Sequence, residues 1–317
     1  MHPALIVLIV ILGIVALYTL LSYIIAHVVF KMATRPTAYT IDQKIESQQK
    51  EFNIDLTDYL HNWNKQDFEV DGVHGKIRGE VVFHPDMQNQ TRKKVAIVCH
   101  GHTCNRITSV KYGEIFYTQG YSLVLYDHAY FGLSDGQYTT LGFNEKFDLS
   151  SVIDYTKSIF GQDCFLALHG ESMGAVTILC ELGIRNDIDL LVADCGFSHT
   201  MNYYRELCFQ IAHVPHFPAV DFANDISKRS IGYDFTKTIP IDCVKNSNVP
   251  ICFIHGAADD FILPHHSEDM YKASPNPNSE LHLFEGANHA RCITNDQPRY
   301  AKVVCDFIHK IENLANN

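Results

Sequence analysis

Between Ala4 and Phe30 the chain has no Asp, Glu, Lys or Arg, and Ile, Val and Leu dominate the run. A helix of roughly 20 apolar residues crosses a bilayer core, so this stretch can span one with some tilt. A secretory signal is the competing account, but it expects a basic segment, a shorter apolar run and a small-x-small cleavage site. No Lys or Arg precedes the run and Ala33-Thr34-Arg35-Pro36 follows it, which favours an uncleaved anchor over residues 1–35. Basic excess is missing as well. The 25 Lys and Arg stand against 36 Asp and Glu, a formal net charge of −11, so there is no footprint for nucleic acid, which needs a basic face. The ten cysteines form no CxxC pair and no zinc-type Cys/His spacing, which argues against a metal site and for a reducing compartment. His265 and His266 are adjacent rather than helically spaced, and read as ordinary surface or pocket residues. No internal repeat or low-complexity tract appears.

Lys31 and Arg35 follow the apolar run, while only the terminal amine and His2 precede it. Positive residues favour the cytoplasmic side, which puts the large C-terminal part there. Two charges leave the orientation open. Residues 36–74 are polar, with Gln48-Gln49-Lys50-Glu51 in a row, and suggest a helical connector. Beyond it, residues 75–317 alternate short apolar runs with helical patterns. The runs are Val81–Phe83, Val95–Cys99, Leu123–Tyr126, Phe165–Leu168, Leu190–Ala193, Ile251–Ile254 and Leu281–Phe284. Continuous apolar strands separated by helix-length segments indicate an α/β fold, with a mostly parallel sheet covered on both faces. Segment 196–249, with Pro215, Pro218 and Pro240, breaks this rhythm. It is expected as a lid inserted over the strand ends, where open α/β sheets place their ligand crevice.

After Phe165–Leu168 comes His169-Gly170-Glu171-Ser172-Met173-Gly174. A G-x-S-x-G between a strand and a helix is a nucleophile turn so tight that the serine hydroxyl is pushed out of the sheet. The bland alternative is a serine N-cap. Serine is a poor nucleophile at neutral pH and needs a base oriented by an acid, which here should follow in the order Ser, Asp or Glu, His. Gly256-Ala257-Ala258-Asp259-Asp260 follows one strand and Glu285-Gly286-Ala287-Asn288-His289 the last. His289 is the candidate base. Asp259, three residues from Gly256, is favoured as the acid, with Asp260 in competition. The developing oxyanion needs fixed N–H donors. Met173, after the nucleophile, supplies one; His102, in the loop His100-Gly101-His102-Thr103, supplies the other through its main chain. His100 is expected to hold that loop.

Together these residues resemble the α/β-hydrolase superfamily over about 75–313. They are most similar to bacterial serine hydrolases grouped with esterases, monoglyceride-lipase-like enzymes and serine aminopeptidase-like proteins. IHGAADDFILP and FEGANHA look like that group's acid and histidine segments, and VCHGHTCNR like its oxyanion loop. The resemblance implies a triad of Ser172, Asp259 and His289, with 196–249 as the lid. Asp127-His128-Ala129-Tyr130-Phe131-Gly132-Leu133-Ser134 departs from the group's pattern at Ala129 and Tyr130, which alters the local loop and brings an aromatic ring to the pocket rim. The expected activity is hydrolysis of carboxylic esters, small or acyl-chain, with no cofactor. An aminopeptidase or acyltransferase with the same triad is the alternative, with Glu171, Glu206 and Asp221 as candidate holders of a substrate ammonium. A catalytically silent membrane-bound binding module is the third.

Overall fold

A computed structural model describes residues 2–212 and 216–315. The chain opens with α1 (Pro3–Thr34) and α2 (Ile41–Lys50). The strands are β1 (Asn64–Gly72), β2 (Gly75–Phe83), β3 (Lys94–Cys99), β4 (Ser122–Tyr126), β5 (Phe165–Glu171), β6 (Leu190–Asp194), β7 (Ile251–Gly256) and β8 (Glu280–Phe284). Interleaved with them are α3 (Arg106–Thr118), α4 (Glu145–Phe160), α5 (Met173–Glu181), α6 (Thr200–Ala212), α7 (Ala219–Ile231), α8 (Pro240–Lys245), α9 (His265–Ala273), α10 (Cys292–Asn295) and α11 (Gln297–Ala315). The eight strands form one sheet in the order β1-β2-β4-β3-β5-β6-β7-β8. Only β1–β2 and β2–β4 pair antiparallel; from β4 to β8 the sheet is parallel. This is the α/β-hydrolase fold.

Parallel strands are buried on both faces, and β3 to β7 are accordingly apolar almost throughout. One face carries Leu149, Val152 and Ile153 of α4, Leu179 of α5 and Met270 of α9. The other carries Ile107 and Phe116 of α3 and Val304, Phe307 and Ile308 of α11. Each expected apolar run lies in a strand. The connector differs from expectation. Residues 64–72, expected as helical, are β1, paired along their whole length to β2. This edge strand buries only Phe68 and alternates Lys65, Asp67, Glu69 and Asp71 outward, charges that discourage edge-to-edge pairing.

Between β6 and β7 stand α6, α7, a short turn at Phe235–Lys237 and α8. Tyr203 and Tyr204 of α6, Val220 and Ala223 of α7 and Phe235 form an apolar layer with Met173, Val176 and Phe131 beside the C-terminal strand ends. Ile241 and Val244 of α8 belong instead to the sheet core. Residues 213–215, Pro215 among them, lie outside the described residues.

Helix α1 is the one helix among the described residues long and apolar enough to cross a membrane. Its place near the N-terminus suits a membrane span and a secretory signal alike. Its 32 residues reach ~48 Å at 1.5 Å per residue, against a hydrocarbon core of about 30 Å. The helix has two parts by burial. Leu5 to Leu21 are exposed, whereas Ala26, Phe30, Ala33 and Thr34 are buried against the body, alongside α7, where the Tyr23 ring meets that of Phe222 at 6.2 Å.

Candidate active site

Ser172 stands between β5 and α5 with φ 55° and ψ −114°. A residue with a Cβ at positive φ costs on the order of 1–3 kcal/mol and persists only where its surroundings enforce it. Here the enforcement is close contact. The turn brings Gly174 so near β3 that a Cβ there would lie 2.1 Å from the Cys99 carbonyl oxygen. The Ser172 N–H is held by the Asp194 carbonyl of β6 at 2.8 Å. Its hydroxyl therefore points past the strand ends, in a residue only 8% exposed.

His289 reaches it from the loop after β8. Its Nε2 lies 3.0 Å from Ser172 Oγ, and its Nδ1 2.8 Å from Asp259 Oδ2. The acid and histidine loops cross where Gly256 ends β7. A Cβ on Gly256 would sit 2.2 Å from the Ala287 carbonyl oxygen, and the Ala258 N–H donates to that same oxygen at 3.1 Å. Asp259 is buried, while Asp260 is exposed. Asp259 Oδ1 accepts the N–H groups of Phe261 and Ile262 at 3.0 and 2.9 Å. His255 Nε2 stands 3.3 Å from Oδ2. Burial alone would raise the Asp259 carboxyl, but the bonds from His255 and His289 hold it well below the usual carboxylate range. His255 itself is fixed by the Ile262 carbonyl at 2.8 Å and by Ser267 Oγ at 2.7 Å. Because Nε2–H donates to Ile262, Nδ1 accepts from Ser267. His255 was not singled out in the sequence, where it is the tail of an apolar run.

The two expected oxyanion donors stand just past strand ends in the chain path: Met173 opens α5, and His102 follows β3 through Gly101. His100 braces the loop as expected, with Nδ1–H donating to the Gly101 carbonyl at 2.7 Å and Nε2 accepting the His128 N–H at 2.9 Å. The His102 imidazole is not idle. Its Nε2 meets the Ala33 carbonyl of α1 at 3.2 Å, and burial pushes its pKa down to about 4. Nearby, the Thr139 N–H donates to the Thr34 carbonyl at 2.9 Å, and Tyr130, one of the two residues that depart from the group's pattern, donates its hydroxyl to Pro36 O at 2.7 Å. The end of α1 is thus bonded directly to the loops around the serine.

Beneath the serine turn lies a buried polar network that no local motif announces. Glu171 accepts from Tyr112 Oη at 2.6 Å and pairs with Lys111 at 3.4 Å. Burial opposes its charge, but Lys111 and Tyr112 prevail and lower its pKa. Tyr300 donates to Asp194 Oδ2 at 3.0 Å and meets His169 Nε2 at 2.9 Å. Of the carboxylates considered for an ammonium group, Glu171 is committed here, Glu206 to His265 and His266, and Asp221 to Arg205 at 3.4 Å. On the open side the walls are apolar: the Phe261 ring lies 4.9 Å from His289, Tyr203 5.9 Å from Phe261, and Phe197 stacks on Tyr203 at 4.8 Å.

The sequence pattern of the prolyl oligopeptidase family matches residues 135–314. The chain belongs to that family. It is 29% identical over 278 residues to the Bacillus subtilis (strain 168) protein YqkD, described as uncharacterized, covering 86% of this chain and 88% of that one. Its fold is similar to that of the esterase Pf2001 of Pyrococcus furiosus, at a TM-score of 0.65 and 21% identity over 81% of this chain and 96% of that chain. The acylaminoacyl peptidase of Pyrococcus horikoshii superposes at 0.59 and 13% identity, over 78% of this chain and 41% of that longer one. Est1E of Butyrivibrio proteoclasticus, with ferulic acid bound, superposes at 0.60 and 18% identity over 78% and 99%. This family member is an α/β-hydrolase-type serine hydrolase.

Proposed function

We propose that the enzyme is a membrane-tethered carboxylic-ester hydrolase that works through an acyl-enzyme on Ser172. The observation that carries the proposal is the unbroken relay from Ser172 Oγ through His289 to Asp259, at 3.0 and 2.8 Å. His289 Nε2 takes the hydroxyl proton as Oγ attacks the ester carbonyl. Asp259 accepts the Nδ1–H bond, keeps Nε2 unprotonated before attack and stabilises the imidazolium after it. The negative charge on the tetrahedral oxygen falls to the main-chain N–H groups of Met173 and His102. Collapse breaks the ester C–O bond as His289 returns the proton to the leaving alkoxide. Water, activated by the same imidazole, then cleaves the acyl–Ser172 bond and releases the acid.

Esters are favoured over peptides with a free amino terminus because Glu171, Glu206 and Asp221 are each engaged by a cation, a histidine or a hydroxyl, and because the walls beside His289 are aromatic. Peptide cleavage is the second reading, favoured by the family and by likeness to an acylaminoacyl peptidase. Helix α1 is taken as an uncleaved anchor with the body on the cytoplasmic side, in keeping with ten free thiols. The test is fluorophosphonate labelling of the full chain in detergent, wild type beside Ser172→Ala. Labelling of wild type alone is expected; equal labelling of both would sink the assignment. Nitrophenyl esters run beside aminoacyl- and acylaminoacyl-coumarins then separate the two readings.

A further inference from the structure

Away from the serine, three side chains from two elements converge. Glu206 stands on α6, and His265 and His266 open α9. Glu206 Oε2 is 3.0 Å from His266 Nε2 and 3.3 Å from His265 Nε2, and Oε1 is also 3.3 Å from His265 Nε2. All three ligand atoms lie within 4.8 Å of one another. A tetrahedral zinc ion with bonds of 2.0–2.1 Å sets its ligand atoms about 3.3 Å apart, which matches the separations of the Glu206 carboxylate from the two imidazoles. The outer nitrogens supply an independent observation. His265 Nδ1 lies 3.5 Å from Asp269 Oδ2, and His266 Nδ1 2.9 Å from Ser198 Oγ. Both rings are thereby turned with Nε2 toward the same point and the far nitrogen on an oxygen, as metal-binding imidazoles are.

We propose that Glu206, His265 and His266 form a site for a divalent transition-metal ion of the zinc class, with a fourth position open to solvent, which fastens α6 to α9. His266 is buried, whereas Glu206 and His265 are partly exposed, which leaves the ion a route in. Without metal, Glu206 accepts from the imidazoles. The Ser198 N–H also reaches His266 Nδ1, at 3.3 Å, so in that state Nε2 carries the ring proton. Metal binding moves this proton to Nδ1, where Ser198 Oγ accepts it, and the long Ser198 N–H bond is given up. Imidazole and carboxylate donors suit zinc better than calcium or magnesium. The ion sits one helical turn from Tyr203, whose ring packs on Phe261 and through it on His289, so occupancy stiffens the apolar wall of the active site.

The test uses the full chain in detergent, stripped with a chelator, freed of it and titrated with zinc against a chromophoric competitor. One equivalent of zinc is expected on wild type, with affinity reduced by roughly 10–100-fold or more in Glu206→Gln and His265→Ala. His265 is partly exposed, so His265→Ala keeps the fold, which circular dichroism checks. His289→Ala separates this site from the Cys195, Asp259 and His289 cluster and is expected to bind zinc as wild type does. Cobalt in place of zinc should give the visible bands of a four-coordinate ion in wild type and lose them in His265→Ala. Failure of wild type to retain zinc, unchanged affinity in both cluster variants, or loss confined to His289→Ala would each overturn the proposal.

Discussion

Replacing Asp259 by Asn tests the relay at its most constrained point. The side chain keeps its shape, and an amide offers one acceptor and one donor where the carboxylate offers two acceptors. Two backbone N–H groups, from Phe261 and Ile262, point at Oδ1; the ring N–H of His289 points at Oδ2, and that of His255, 3.3 Å away, is shared with the Ile262 carbonyl. Placing the amide oxygen at Oδ1 satisfies two donors; placing it at Oδ2 satisfies His289 and the shared His255 proton but sets NH2 against two backbone N–H groups. The first arrangement wins by about one hydrogen bond, ~1 kcal/mol or more. The amide NH2 then faces His289 Nδ1, which must become an acceptor, and the ring proton moves to Nε2. An imidazole with Nε2–H cannot take the Ser172 proton. The rate should fall about 10⁴-fold in kcat, or ~5.5 kcal/mol, with KM little changed. Nitrophenyl ester hydrolysis at pH 7.5 measures it, and Asp260→Asn is the internal control. Asp260 is exposed, so its loss should leave kcat within about twofold. If Asp259→Asn kept more than a tenth of the wild-type rate while Asp260→Asn fell, the acid would be misassigned and the tautomer argument with it.

His255→Phe leaves the Ile262 carbonyl and the Ser267 hydroxyl without their bonds, and should lower stability by about 2–4 kcal/mol; because Asp259 keeps its bond to His289, kcat should fall far less than in Asp259→Asn. Thermal midpoints read beside kcat decide it, and equal rate losses in the two variants would refute a supporting role. Burial raises Asp194 to about 7, above an unfolded value near 3.9. The folded state thus holds a proton the unfolded state loses, so this stability is full below about pH 4 and is lost as pH rises through 7. Asp194→Asn should remove on the order of 3 kcal/mol of that decline between pH 5 and 8; Asp148 and Glu181, also raised to about 7, keep the remainder. Parallel midpoint-against-pH curves for wild type and variant would contradict it. Phe30→Ala should cost about 3 kcal/mol because Phe30 is 7% exposed, whereas Leu12→Ala, at 59%, should cost under about 0.5 in detergent. Equal midpoints for the two would mean that the end of α1 does not pack on the body.

What could be seen in the sequence follows the range of the forces involved. A strand buried on both faces has no choice but to be apolar throughout, so β3 to β7 stood out as runs; β1, at an edge with only Phe68 buried, carries no such obligation and hid among polar residues. The serine turn is legible because its constraint falls on one short motif: Gly174 must pass within reach of Cys99, and a residue with a Cβ would not fit. Asp259 and His289 are legible by order alone, since the fold places the ends of β7 and β8 together. The convergence of Glu206 with His265 and His266 has no such signature. It spans 59 residues and depends on how α6 lies over the strand ends, which is set by the packing of Tyr203, Tyr204 and Phe235 rather than by any periodicity near either histidine. The same holds for His102. Its main chain was expected from the loop, but its imidazole answers to Ala33, 69 residues earlier, and that contact exists only because the last turns of α1 pack down onto the loops around Ser172.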